Sequence, residues 1–167
     1  MSVEHEKRAP IVIREARAGD AAQLAAWAIA MALETEEKKL DSETIKRGVR
    51  GVLDDAARGR YFIADRVHDG VAMAIGTLMV TLEWSDWRCG DWWWIQSVYV
   101  APEYRRRGVY GALHNHVRTL AEADPLVCGL RLYVERDNLD AQRTYKAMGM
   151  HDAGYRVYEG EFAKARG

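Results

Sequence analysis

The chain has 167 residues, 49% of them hydrophobic and 29% charged, which is enough for one domain with a sizeable core and argues against a disordered chain. A net charge of −1 builds in no general attraction to nucleic acid or to an anionic membrane surface. Its two cysteines, Cys89 and Cys128, show neither CxxC spacing nor a metal-site pattern, which points away from a disulfide framework and a zinc module.

No apolar run approaches the roughly 20 residues of a membrane span. The charged start, Met1 to Arg8, lacks an apolar signal core, so no membrane partner and a cytoplasmic location are expected. Residues 1–10 read as a tail ahead of a strand at Ile11–Ala16. Asp20 is placed to cap a helix carrying Leu24, Trp27, Ala28 and Met31 at helical spacing. A second helix is predicted from Ser42 to Ala57, with Ile45, Val49, Val52 and Leu53 on one stripe and Gly59 closing it. Three strands follow, at 60–67, 71–84 and 92–100; His68-Asp69-Gly70 makes a hairpin turn between the first two, and Arg88-Cys89-Gly90 a turn before the third.

After Pro102 a helix is predicted, with Val109, Ala112, Leu113, His116, Val117 and Leu120 on one stripe. Pro125 closes it. A strand at 129–135, a short helix from Leu139 to Met148 stopped by Gly149, and one or two strands between His151 and Phe162 complete the chain. Residues 11–162 thus read as a single α/β domain, a mixed sheet covered by helices, with a second tail at 163–167.

The most informative stretch runs from Val98 to Leu113, where an apolar strand enters a turn holding Arg105, Arg106, Arg107 and Gly108 and then a helix. The first amides of a helix have no internal partner, and the helix dipole adds partial positive charge there. Glycine at 108 lets an anion approach the backbone, so the segment can cradle a pyrophosphate. An exposed basic loop before an ordinary helix is the alternative. A nucleic-acid surface is not expected, because the basic residues are confined to one turn.

Arg105-x-x-Gly108-x-Tyr110 resembles the (Gln/Arg)-x-x-Gly-x-(Gly/Ala) signature of the GNAT N-acetyltransferases, with Tyr110 and then Gly111 where a small residue is usual. A second segment, Asn138-x-x-Ala141-x-x-x-Tyr145-x-x-x-Gly149-Met150, is similar to that family's Asn-x-x-Ala-x-x-x-Tyr-x-x-x-Gly-(Phe) pattern. The resemblance implies the GNAT fold, with a central, mostly antiparallel sheet flanked by helices. It implies acetyl-coenzyme A as co-substrate, held by backbone amides from Arg106 through Val109 and Tyr110 to Gly111, with Arg105 holding the turn. Val98, Tyr99 and Val100 would pair with the pantetheine arm, and Asn138 would touch the carrier. Tyr145 would protonate the departing sulfur; a core tyrosine is the plainer reading. The implied activity is transfer of an acetyl group to a primary amine, taken first as a small molecule. A peptide acceptor and a non-catalytic acyl-carrier sensor are the alternatives.

The acceptor side is less determined. Glu83 and Asp86 are candidate bases, and Glu34 and Glu36, read as lying between the first two helices, candidate contacts for a cationic acceptor, although each can equally be a solvated charge. Trp84, Trp87 and the run Trp92 to Trp94 could form a cation-binding pocket. Core packing or a homodimer surface explains them as well. Alternation puts Trp92 and Trp94 on one face and Trp93 on the other. His114 and His116 face different directions on their helix, so no metal site is proposed.

Overall fold

Turn chemistry and apolar alternation together build a meander between residues 60 and 100. The computed structural model describes residues 9–160 and residue 162, so most of the expected N-terminal tail, and all of the tail at 163–167, lie outside the described residues. Two units divide at Tyr133/Val134.

In the first unit, β1 (Ile11–Glu15), β2 (Arg60–His68), β3 (Val71–Ser85), β4 (Gly90–Val100) and β5 (Val127–Leu132) form one sheet in the order β1-β2-β3-β4-β5. The first four are antiparallel neighbours and β4 pairs with β5 in parallel. The β2–β3 turn has left-handed residues at Asp69 (φ 48°) and Gly70 (φ 78°), the backbone a two-residue hairpin needs to match the twist of its strands.

The sheet separates two packed layers. On one face α3 (Val109–Ala123) buries Val109, Leu113, Val117 and Ala121 against Phe62, Leu78, Val80, Trp93 and Ile95. On the other, α1 (Ala21–Glu36) and α2 (Ser42–Leu53) close over Ile63 and Tyr99 with Leu24, Trp27 and Val49. The buried stripe of α3 is rotated from the expected one: His114 is buried, where burial lowers its pKa and keeps the ring neutral, while His116 meets Phe62 edge-on at 5.5 Å. Both histidines are packing residues. Gly76 on β3 carries no side chain because a Cβ there would lie 2.9 Å from the Tyr99 carbonyl and 3.2 Å from Val109. Its absence lets the end of β4 and the start of α3 sit tightly on β3.

Four local expectations are corrected. Asp20 precedes α1 but does not cap it; both carboxylate oxygens turn to Arg14, at 2.7 and 2.9 Å, and one also accepts from the Arg17 amide. Helix α2 ends at Leu53 rather than Ala57, where Asp54 and Asp55 meet the negative end of the helix dipole and Asp55 accepts from the Ala57 amide to form a turn. Strand β5 ends at Leu132 rather than 135, because its pairing with β4 stops at Ile95↔Leu132. In the second unit α4 (Leu139–Ala147) forms as expected, but no strand appears among the described residues beyond it. Tyr155, Val157 and Tyr158 there are exposed, and a strand without a ladder leaves its backbone to water.

The Arg14 cluster gives a stability prediction. Arg14 also donates to Asp65 at 2.6 Å, tying β1 to β2 and to the turn before α1. Hydrogen bonds from Arg14 hold the Asp20 carboxyl below its usual range. A depressed folded pKa means full stabilisation above the unfolded value of about 4, lost as pH falls through the lower folded value. Asp20→Asn is expected to cost about 1–2 kcal/mol near neutral pH, roughly 2–8 °C in Tm, with a shallower loss of stability on acidification. Thermal unfolding between pH 3 and 7 checks both.

Candidate active site

The predicted pyrophosphate turn lies where β4 hands over to α3. Pro102–Tyr104 form one turn of 3₁₀ helix, and the chain then passes through two left-handed residues, Arg106 (φ 59°) and Gly108 (φ 81°). Such alternation turns successive amides toward one concavity, an anion-binding nest. Gly108 is the N-cap of α3, and the Ala112 amide closes the first turn onto its carbonyl at 3.0 Å. The amides from Arg106 to Gly111 lie ahead of that bond, where a helix has no i−4 carbonyls to offer. A Cβ at Gly108 would meet no atom within 4 Å, so the space above the turn is open. An open, left-handed glycine on the positive end of a helix dipole fits a diphosphate.

Arg105 is the strut of this turn. Its Nε donates to the Val100 carbonyl at 2.9 Å, Nη2 pairs with Glu34 at 2.6 Å, and the guanidinium lies 5.6 Å from the Tyr99 ring centre. The Tyr99 hydroxyl donates to the same Glu34 at 3.3 Å, and burial, then the Glu34 charge, raises its pKa. Glu34 therefore anchors the end of α1 to the turn. It and Glu36 lie within α1, not between the helices. Tyr110, the departure from the small residue of the signature, packs toward the α3-side core beside His114, ring centres 5.9 Å apart.

Strand β4 changes partners midway. The β3–β4 register steps from Met79↔Ser97 to Val80↔Ile95, so Gln96 is an extra residue, a bulge. The pairing with β5 ends at Ile95↔Leu132, the same point. Beyond it Val98, Tyr99 and Val100 are held by β3 alone. A bulge bends its strand, and here the bend coincides with the end of the parallel ladder. The strands part, leaving one edge of β4 leading to the turn.

The tryptophans alternate as expected. Trp93 is buried against α3; Trp92 and Trp94 lie on the opposite face with Glu83. Glu83 accepts from the Trp94 indole nitrogen and pairs with Arg131 at 2.8 Å. Arg131 lies 4.1 Å from the Trp92 ring centre, and Trp94 stacks on Tyr133 at 4.4 Å. Gly129 admits this arrangement, since a Cβ there would sit 2.5 Å from Trp92. Trp84 alternates to the face opposite Glu83, and Trp87 and Asp86 lie in the exposed β3–β4 turn, where Asp86 accepts from the Trp87 amide. The sequence-derived acceptor group is thus split between two sheet faces. Arg131 and Tyr133 were not singled out. The alternation Gly129, Arg131, Tyr133 was readable, but not the strand it pairs with.

In the second unit Asn138 caps α4, its side-chain oxygen accepting from the Ala141 amide at 3.1 Å. Gly149 (φ 85°) ends it, with the Met150 amide returning to the Tyr145 carbonyl. Burial raises the Tyr145 phenol above its ordinary value. Among the described residues no group of three or more metal-ligating side chains is found, and no helix is long and apolar enough to cross a membrane.

A mixed sheet that opens beside a helix-capping anion nest offers amides to an anionic group and a strand edge to an extended chain. The sequence model described as the acetyltransferase (GNAT) family matches residues 21–150, and the chain belongs to that family. A possible acetyltransferase from Clostridium difficile 630 is 39% identical, with a TM-score of 0.85 over 92% of this chain and 99% of its own. At 18% identity the ribosomal-protein-alanine N-acetyltransferase of Brucella melitensis biovar Abortus 2308 shares the fold, with TM-score 0.68 over 92% of this chain and all of its own. The aminoglycoside N-acetyltransferase AAC(6')-Iy in complex with CoA does so at 16% identity, with TM-score 0.69 and coverage of 93% and 97%. No curated protein sequence gives a significant match.

Proposed function

We propose that the protein transfers an acetyl group from acetyl-coenzyme A directly to a primary amine of a small molecule. The observation that carries this reading is the left-handed turn at Arg106 and Gly108, open above Gly108 and placed where β4 loses its parallel partner. Membership of the family supports the transfer chemistry.

In this reading the amides from Arg106 to Gly111 hold the diphosphate, with Arg106 and Arg107 supplying charge and Arg105 serving as the strut. Val98 and Val100 offer backbone groups to the pantetheine arm as to an added strand. Asn138 contacts the carrier. The amine nitrogen attacks the thioester carbonyl carbon, the C–S bond breaks, and the sulfur takes the phenol proton of Tyr145. The proton released by the amine returns through water to the phenolate, leaving an amide and free coenzyme A. A lysine-like amine, with a pKa near 10.4, costs about 4–5 kcal/mol to deprotonate at neutral pH, so turnover climbs with pH.

Coenzyme A at about 100 times its Kd is expected to add roughly 2.7 kcal/mol of stability, a rise of about 5–10 °C in Tm. Release of free thiol with small amines, but not with peptides alone, supports the small-molecule acceptor. A carrier that neither binds nor reacts ends the proposal.

A further inference from the structure

We infer that the face formed by Trp92, Trp94, Glu83 and Arg131 is the acceptor platform of the activity proposed above, and that it takes an amine bearing a carboxylate. All of the groups concerned belong to the first unit. Trp94 and Arg131 are register partners on the rung before the last β4–β5 pair, so the platform borders the point where the strands part. Clustered indoles would ordinarily suit a cationic acceptor. Here that capacity is already used. Arg131 lies 4.1 Å from the Trp92 ring centre and 5.9 Å from that of Trp94, and Arg88 is 5.1 Å from Trp92.

Charge points the same way. Glu83, the acid on this face, has one oxygen on Arg131 and the other on the Trp94 indole nitrogen. It balances one of the two guanidiniums. Asp86, in the same turn as Arg88, has an oxygen on the Trp87 amide, and Arg88 has no ion pair among the described residues. Arg131 retains donors beyond the Nη1 group given to Glu83, since a guanidinium carries five N–H bonds. A polycation would meet two positive groups, whereas a carboxylate would gain charge-assisted hydrogen bonds beside an aromatic wall. The wall is fixed in advance, because Gly129 lets Trp92 lie close to β5 and Tyr133 stacks on Trp94.

Matched amines test this: L-phenylalanine against 2-phenylethylamine, 4-aminobutyrate against butylamine, with spermidine as the polycation. The acid of each pair is expected to show a kcat/KM at least about tenfold higher, because a site built to bond a group rejects the analogue lacking it. The same acids, without thioester, are expected to change tryptophan emission in a saturable way while their decarboxylated partners do not. Arg131→Gln should bring each ratio to within about twofold and abolish the emission change; Arg131→Lys, keeping charge but not the fork, should retain part of both. If Arg131→Gln fails to fold, Arg131→Lys and the exposed Arg88→Gln decide by the same readouts. Preference for spermidine or the plain amines, or no emission response to either acid, overturns the platform. Calorimetry with coenzyme A separates the two readings: lost carrier binding removes the transferase proposal, while the emission titration decides the platform on its own.

Discussion

Tyr145→Phe is expected to lower kcat by about tenfold or more while the Kd for coenzyme A stays within about twofold of wild type. The substitution removes one oxygen and leaves the half-buried ring on α4 in place. In the proposed mechanism only the step that needs a proton at sulfur is affected, so the loss is expected to fall on kcat and not on carrier binding. The pH profile supplies a second readout. Burial raises the phenol above its ordinary value of about 10, so the protonated form persists into the alkaline range. Wild-type kcat is therefore expected to rise with pH as the amine deprotonates and to show no descending limb below about pH 10. An unchanged rate in the phenylalanine variant would remove Tyr145 from the chemistry.

Gly108→Ala carries the second large effect, and it falls on binding. The backbone there is left-handed at φ 81°, and a side chain would enter open space. The fold should bear the change, at about 1–2 kcal/mol for a non-glycine residue in that conformation, or roughly 2–8 °C in Tm. The methyl group would stand where, in the proposed binding mode, the diphosphate approaches the amides. A rise of about tenfold or more in the Kd for coenzyme A is expected, since losing one or two charge-assisted hydrogen bonds costs about 1.5–3 kcal/mol each. Calorimetry and thermal unfolding on the same sample separate these effects. Full affinity in a folded variant would mean that the anion lies elsewhere.

Much of this arrangement is local and therefore readable in sequence. Asp69-Gly70 announces its hairpin because both residues tolerate positive φ, and Trp92 to Trp94 divide between faces because side chains alternate. The turn from Arg105 to Gly108 is legible for the same reason, its chemistry lying in consecutive amides. What escaped the sequence depends on partners far along the chain. Glu34 reaches Arg105 across 71 positions, and Arg131 reaches Glu83 across 48. The bulge at Gln96 is set by mismatch with β3, not by any property of glutamine. Asp20 shows the converse failure: a good capping residue whose side chain is drawn to Arg14, where two hydrogen bonds and an opposite charge outweigh one cap.

The parallel pairing of β4 with β5 also orders events during folding. Strands β1 to β4 are antiparallel neighbours, whereas β5 can be placed only after α3 has carried the chain back across the sheet. Contacts of that kind close later than those of a hairpin, because more loop-closure entropy must be met before they form. The β4–β5 pairing is thus expected to form after the β2–β3 hairpin, and its amides to exchange with deuterium sooner than those of the β2–β3 ladder.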